Sequence, residues 1–153
     1  MKIGLCFCLL ICLIACSEKP FYEQTYELSS DGWAYDDEQM FTFTSQDSLS
    51  TFDIILDIVH EETYAYENLY ILINTTFPDG QIVEDQISIP FIGTSGAWQG
   101  RPLQDDRLLR VYLQQEVRLQ QLGTYTITIE QHSRERTLQG IKRLHLALLP
   151  VAN

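Results

Sequence analysis

The chain has 153 residues, 21 of them acidic against 10 basic, for a formal net charge of −11. That length suits one domain, and that charge excludes a protein built to grip the phosphates of a nucleic acid. All four cysteines, Cys6, Cys8, Cys12 and Cys16, lie within the first sixteen residues. The remainder therefore has no disulfide and no thiolate metal site, and its stability must come from a packed core.

The first fifteen residues differ from the rest. Lys2 is followed by an uncharged apolar run, Ile3 to Ala15. A membrane-crossing helix needs roughly 20 apolar residues, and this run is shorter. It fits the core of a secretory signal peptide, residues 1–15. It closes on Leu13-Ile14-Ala15-Cys16, the pattern of a bacterial lipobox. The Cys16 thiol would accept a diacylglycerol thioether, and the small Ala15 would let the peptidase reach the preceding bond. Residues 16–25 read as a lipidated N-terminus and an extended tether containing Pro20, and residues 26–153 as the folded domain.

Beyond the tether the apolar period is two rather than 3.6, which predicts strands. Phe41 and Phe43 alternate with threonines. Phe52, Ile54, Leu56 and Ile58 share one face, with Asp53 and Asp57 on the other. Leu69 to Phe77 is apolar and β-branched and runs into Phe77-Pro78-Asp79-Gly80, a tight-turn sequence. With Gln81 to Ile89 it forms a predicted hairpin. Gly93 to Pro102, with three glycines and Trp98, reads as a loop. Leu103 to Leu122 is rich in helix formers. Its apolar residues, among them Leu109, Val111, Leu113, Val117 and Leu119, nevertheless keep to odd positions, and strand is the better reading. Thr124 to Gln131 alternates cleanly. Ile141 to Leu149 turns Leu144, Leu146 and Leu148 inward. Leu122-Gly123-Thr124-Tyr125 suggests a tyrosine corner. The whole predicts an all-β fold, an antiparallel β-sandwich of about eight or nine short strands in one domain.

Charge is unevenly distributed. Cys16 to Ala97 holds 16 acidic residues and one basic, and Trp98 to Asn153 holds five acidic and eight basic. Solvated strand faces account for this. A bipolar surface that orients a partner is the sharper alternative.

No catalytic constellation stands out. His60, His132 and His145 have no metal-ligand spacing, and His60-Glu61-Glu62 lacks a second histidine. Ser95 between Gly93 and Gly96 has no evident base. Asp36-Asp37, Glu61-Glu62 and Asp105-Asp106 read as solvated pairs, since neighbours on a strand face opposite ways and acid–base work needs two carboxyls facing one cleft. Asp79-Gly80 belongs to a turn, because the further ligands of a calcium loop are missing. The expectation is a protein with no catalytic residues, no metal, no cofactor and no small-molecule substrate. Tyr64 and Tyr66, in the polar loop Glu61 to Asn68, are the aromatics expected to be exposed.

A series of landmarks then falls into order. They are Gly32-Trp33 with Asp36-Asp37, Phe41 and Phe43, Tyr66-Glu67-Asn68-Leu69-Tyr70, and Phe77-Pro78-Asp79-Gly80. Gly96-Ala97-Trp98-Gln99-Gly100, Val117-Arg118, Gly123-Thr124-Tyr125 and Leu138-Gln139-Gly140-Ile141 follow. On these the chain resembles the gliding-motility lipoprotein GldH family over nearly all of its length past Cys16. It departs at His132-Ser133-Arg134, where the family usually has a methionine and an arginine. It departs again at Lys142-Arg143-Leu144-His145, where the family has an acidic residue and a glycine.

The resemblance implies a role and no reaction. It implies a non-enzymatic envelope lipoprotein that supports gliding motility, type IX protein secretion, or both, through contacts with other gliding and secretion proteins. Membrane attachment would be through the N-terminal lipid. Ser17 after Cys16 favours the outer membrane, facing the periplasm. Trp33, Tyr64, Tyr66 and Trp98 are the candidate partner-binding residues, since Trp and Tyr dominate interface hot spots. The alternative is a carbohydrate-binding surface lipoprotein with a flat row of exposed aromatics.

Overall fold

The computed structural model describes residues 19–151. The signal peptide, Cys16 and residues 152–153 lie outside the described residues. Eleven strands follow one another: β1 Tyr22–Glu27, β2 Trp33–Ala34, β3 Gln39–Ser45, β4 Thr51–Glu61, β5 Asn68–Thr76, β6 Ile82–Pro90, β7 Arg101–Leu103, β8 Asp106–Arg118, β9 Gly123–Gln131, β10 Thr137–Leu138 and β11 Ile141–Pro150. Every ladder is antiparallel. A five-stranded sheet has the order β1-β11-β4-β8-β7, and a four-stranded sheet the order β3-β9-β5-β6. β10 and β2 form a small separate ribbon.

The fold is the expected all-β sandwich, with more strands than expected. The additions are short or hidden. β2 and β10 have two residues each and β7 has three. β1 begins at Tyr22, inside the segment expected as tether. Its partly buried residues, Tyr22, Gln24 and Tyr26, lie opposite Leu148, Leu146 and Leu144 of β11. That non-local pairing converts a weakly patterned segment into a strand. The predicted hairpin is β5–β6, closed by the Gly80 amide donating to the Phe77 carbonyl at 2.9 Å with Gly80 at φ +85°. The helix formers of Leu103 to Leu122 lie mostly in the long strand β8, where tertiary pairing overrides propensity.

The core lies between the two larger sheets. Phe52, Leu56 and Ile58 of β4 and Leu144, Leu146 and Leu148 of β11 form one wall. Phe41, Leu69, Ile71, Ile127 and Ile129 of the four-stranded sheet form the other. β4 is buried on both faces. Ile55, Asp57 and Val59, on the side expected to meet solvent, are buried as well. Their register partners on β8 are Tyr112, Arg110 and Leu108, whose large side chains cover that face. Asp57 is only 7 % exposed, and Arg110 grips it with two hydrogen bonds of 2.7 Å each. Such a bidentate pair is what a buried carboxylate requires.

The tyrosine corner is present. The Tyr125 hydroxyl donates to the Gln121 carbonyl at 2.9 Å and accepts from the Gln121 amide at 3.1 Å. It ties the connection from β8 to the start of β9. Replacing Tyr125 by Phe leaves both backbone groups short of a partner. A loss of about 2 kcal/mol is expected, readable as a lower urea midpoint with an unchanged slope.

Candidate functional site

The four aromatics singled out as contact residues occupy different environments. Trp33 is fully buried. Its indole N–H donates to the Asp37 carbonyl at 2.8 Å, and its backbone pairs with Leu138. Gly32 before it has φ +101°, and a side chain there would collide with the Gln139 amide. The Gly32-Trp33 landmark is thus a structural cap and not a contact surface. Tyr64 is 6 % exposed, which corrects the expectation of exposure. Its hydroxyl donates to the Asn68 carbonyl at 3.2 Å, and burial pushes its phenol well above the ordinary range. Polar sequence around Tyr64 concealed this, because the turn folds the ring back against Phe91 at 5.2 Å.

Tyr66 is 42 % exposed, and its hydroxyl donates to Glu135 at 2.8 Å. Trp98 is half-buried and lies 5.2 Å from the His60 ring. Trp33 and Tyr64 therefore leave the list of partner-binding candidates on geometry. With Trp33 inside the fold and Trp98 packed on His60, the tryptophans do not make the exposed row that a carbohydrate platform requires.

Three of the four, Tyr64, Tyr66 and Trp98, do gather at one end of the sandwich around His60 and Phe91. His60 is fully buried and stacks on Phe91 at 4.3 Å. Its Nδ1 lies 2.8 Å from the Glu61 carbonyl, which assigns the proton to Nδ1. Nε2 has no partner among the described residues. Burial holds the imidazole below its usual 6.5, opposed by the Glu61 carbonyl, with smaller contributions from Arg107, Asp106 and Glu62. A neutral buried histidine makes stability depend on pH. Below about 6.5 the unfolded chain takes up a proton that the folded chain resists. Stability is therefore full above that pH and falls as pH drops from about 6.5 toward the folded-state value. A His60→Phe chain is expected to melt with a shallower pH dependence between pH 7 and 5. An unchanged slope would remove His60 from that role.

Glu61, Glu62 and Asp106, from two of the three acidic pairs, are in surface ion pairs. Glu62 meets Arg107 at 3.0 Å, and Lys142 meets Asp106 at 2.6 Å and Glu61 at 3.6 Å. Among the described residues no three His, Cys, Asp or Glu side chains come together as a metal site.

The main concave feature lies elsewhere and was not anticipated. A cleft of about 640 Å³ opens between the two sheets on the side of β6 and β8. Ile54, Leu113 and Val117 line it from the five-stranded sheet, and Ile73, Val83 and Ile87 from the other. Asp85, Gln86, Gln114 and Arg118 stand among its polar residues. The size and the mostly apolar wall with a few polar groups are those of a binding site. Glu116, at φ +52°, breaks the regularity of β8, and the Asp53 carboxylate accepts its amide at 2.9 Å. A sequence signal exists in hindsight. The apolar alternation of β8 lapses at Gln114-Gln115-Glu116, beside the cleft.

Comparison with known proteins gives a consistent result. A family model described as GldH lipoprotein matches residues 20–147. The "Gliding motility lipoprotein GldH homolog" of Christiangramia forsetii is 26% identical over 136 residues, which cover 88% of this chain and 83% of that protein. The "Gliding motility lipoprotein GldH" of Flavobacterium johnsoniae is 22% identical over 135 residues, again 88% and 83%. Among solved structures, a chain from infectious bursal disease virus Gx strain aligns with a TM-score of 0.33 and 11% identity. The alignment covers 88% of this chain and 33% of that one.

Proposed function

The chain belongs to the GldH lipoprotein family, and on that premise we propose that it is a non-enzymatic lipoprotein of the cell envelope. It is anchored by acyl chains on Cys16 and supports gliding motility, type IX protein secretion, or both, by holding other envelope proteins. The open cleft between β6 and β8 is the observation that carries the mode of action. It is an apolar surface, flanked by unpaired backbone, on an otherwise well-closed sandwich, and such a surface suits a partner chain better than a reaction.

The outer membrane, with the domain facing the periplasm, is the proposed location. Ser17 follows Cys16, so the aspartate that retains some lipoproteins at the inner membrane is missing. The two relatives are named for gliding motility. The test is an in-frame deletion of the gene, scored for surface spreading and for release of type IX cargo. Loss of either, restored by the unmodified gene, is the expected result. Normal spreading together with normal secretion would sink the reading.

A further inference from the structure

The two ends of the sandwich present different residues. One end gathers Phe21, the β3–β4 loop, the β5–β6 turn and the β8–β9 loop. Ser45 pairs with Gly123 where β3 meets β9, which sets the β3–β4 and β8–β9 loops side by side. The Gln121 side chain accepts from the Asp79 amide at 3.2 Å and donates to the Asp79 carboxylate at 2.9 Å, which brings in the β5–β6 turn. Phe21 lies 4.9 Å from Phe52 and 6.4 Å from Phe43, at the start of β4 and near the end of β3. The chain from Cys16 therefore enters the domain at this end.

Three large apolar side chains stand out from these loops. Leu49 is 76 % exposed, Leu122 is 61 % exposed, and Phe21 is exposed as well. At the opposite end the exposed rings are tyrosines, Tyr35 and Tyr66, whose hydroxyls meet His132 and Glu135. A single surface leucine is ordinary, whereas apolar side chains gathered on adjoining loops mark an interaction surface.

We propose that this end rests on the membrane that holds Cys16, with Leu49, Leu122 and Phe21 set into the boundary between lipid headgroups and acyl chains. This rests on the lipid anchor proposed above and adds how the domain stands on the bilayer. Four residues separate Cys16 from Phe21, a reach of less than about 20 Å even when fully extended. The eleven residues of β4 run from this end to the other. At roughly 3.3 Å each they span about 36 Å. The tether is too short to turn the tyrosine end onto the lipid, and a protein partner for the patch would have to enter the narrow gap beneath the domain.

Charge at this end is balanced, with Asp47 and Asp79 against Lys19 and Arg118. The two carboxylates already accept the Leu49 and Gln81 amides at 2.8 and 2.9 Å. The attraction is therefore apolar and scales with the apolar area buried in the interface. Three side chains are too few to hold a free protein at a bilayer. On a short lipid tether they suffice, because the tether supplies a high effective concentration. The contact then sets orientation and turns Tyr35 and Tyr66 away from the lipid.

The mature chain, from Cys16 onward, is coupled through that thiol, its only one, to a maleimide lipid in phosphatidylcholine vesicles. Brominated acyl chains report contact by quenching a tryptophan introduced at either end. Leu49→Trp is expected to lose at least half of its added emission, and Tyr66→Trp none of its own. Adding Leu122→Asp to the Leu49→Trp chain is expected to cut the quenching at least twofold, equally at low and high salt, without a change in melting temperature. Equal quenching at the two ends, quenching indifferent to Leu122→Asp, or none at Leu49→Trp would overturn the proposal, the last leaving the patch to a protein partner. The acyl mass on Cys16 is measured separately in protein purified from cells. Acylation beside an unquenched Leu49→Trp would remove the docking end and leave the anchor standing, whereas an unacylated Cys16 would remove both.

Discussion

A Trp33→Ala chain is expected to lose about 3–5 kcal/mol of stability, the range for emptying a fully buried aromatic site. Trp33 has no exposed surface and donates its indole N–H to the Asp37 carbonyl. Truncation therefore removes apolar burial and also leaves a carbonyl without its partner. The damage should spread to the β2–β10 ribbon, because Trp33 pairs with Leu138 there. A loss of that size is a large share of the roughly 5–15 kcal/mol that holds a domain together. The melting temperature should fall by many degrees and expression should drop. Tyr66→Ala, at a largely exposed ring, should cost about 1 kcal/mol or less by comparison. Equal costs for the two would contradict the placement of Trp33 in the core.

A Cys16→Ala chain is expected to move from the membrane fraction to the soluble fraction while its domain melts at an unchanged temperature. Each buried methylene of an acyl chain contributes roughly 0.8 kcal/mol, and stable anchoring takes more than one chain. Removing the attachment point removes essentially all of that. The fold should not notice. Five residues separate Cys16 from Tyr22, where β1 begins. At about 3.5 Å per residue they span on the order of 20 Å at most, so a lipid on Cys16 would hold the start of β1 within that distance of the membrane. Full retention in washed membranes after the substitution would show that the domain is held by something other than Cys16.

Elements whose signal is local were legible in the sequence. The β5–β6 hairpin carried its turn residues, and β9 and β11 carried clean alternation. The tyrosine corner was spelled out by Gly123-Thr124-Tyr125. Elements made by distant pairing were not. β1 becomes a strand only because β11, more than a hundred residues later, lies beside it. Trp33 sits among Asp31, Asp36 and Asp37 and reads as surface, yet its burial is set by Thr137 and Leu138. Tyr64 was misplaced for the same reason.

The uneven charge also has a structural meaning that composition alone could not supply. Acidic residues of the first half, Asp57, Glu61 and Glu62, meet basic residues of the second, Arg110, Lys142 and Arg107. The asymmetry is partly consumed as ion pairs that link β4 and the residue after it to β8 and β11. The cleft left little trace in the sequence, because it is defined by a neighbour that β8 lacks.

Complementation decides whether the cleft is needed in the cell. A deletion strain is complemented with the unmodified gene or with Val83→Trp, and both proteins are checked for equal abundance, equal melting temperature and membrane attachment. Spreading and type IX cargo release are then measured side by side. The unmodified chain should restore both, and the filled-cleft chain should restore neither. Full restoration by Val83→Trp, with the ring shown to occupy the cleft, would contradict the claim that this lipoprotein works by holding a partner there.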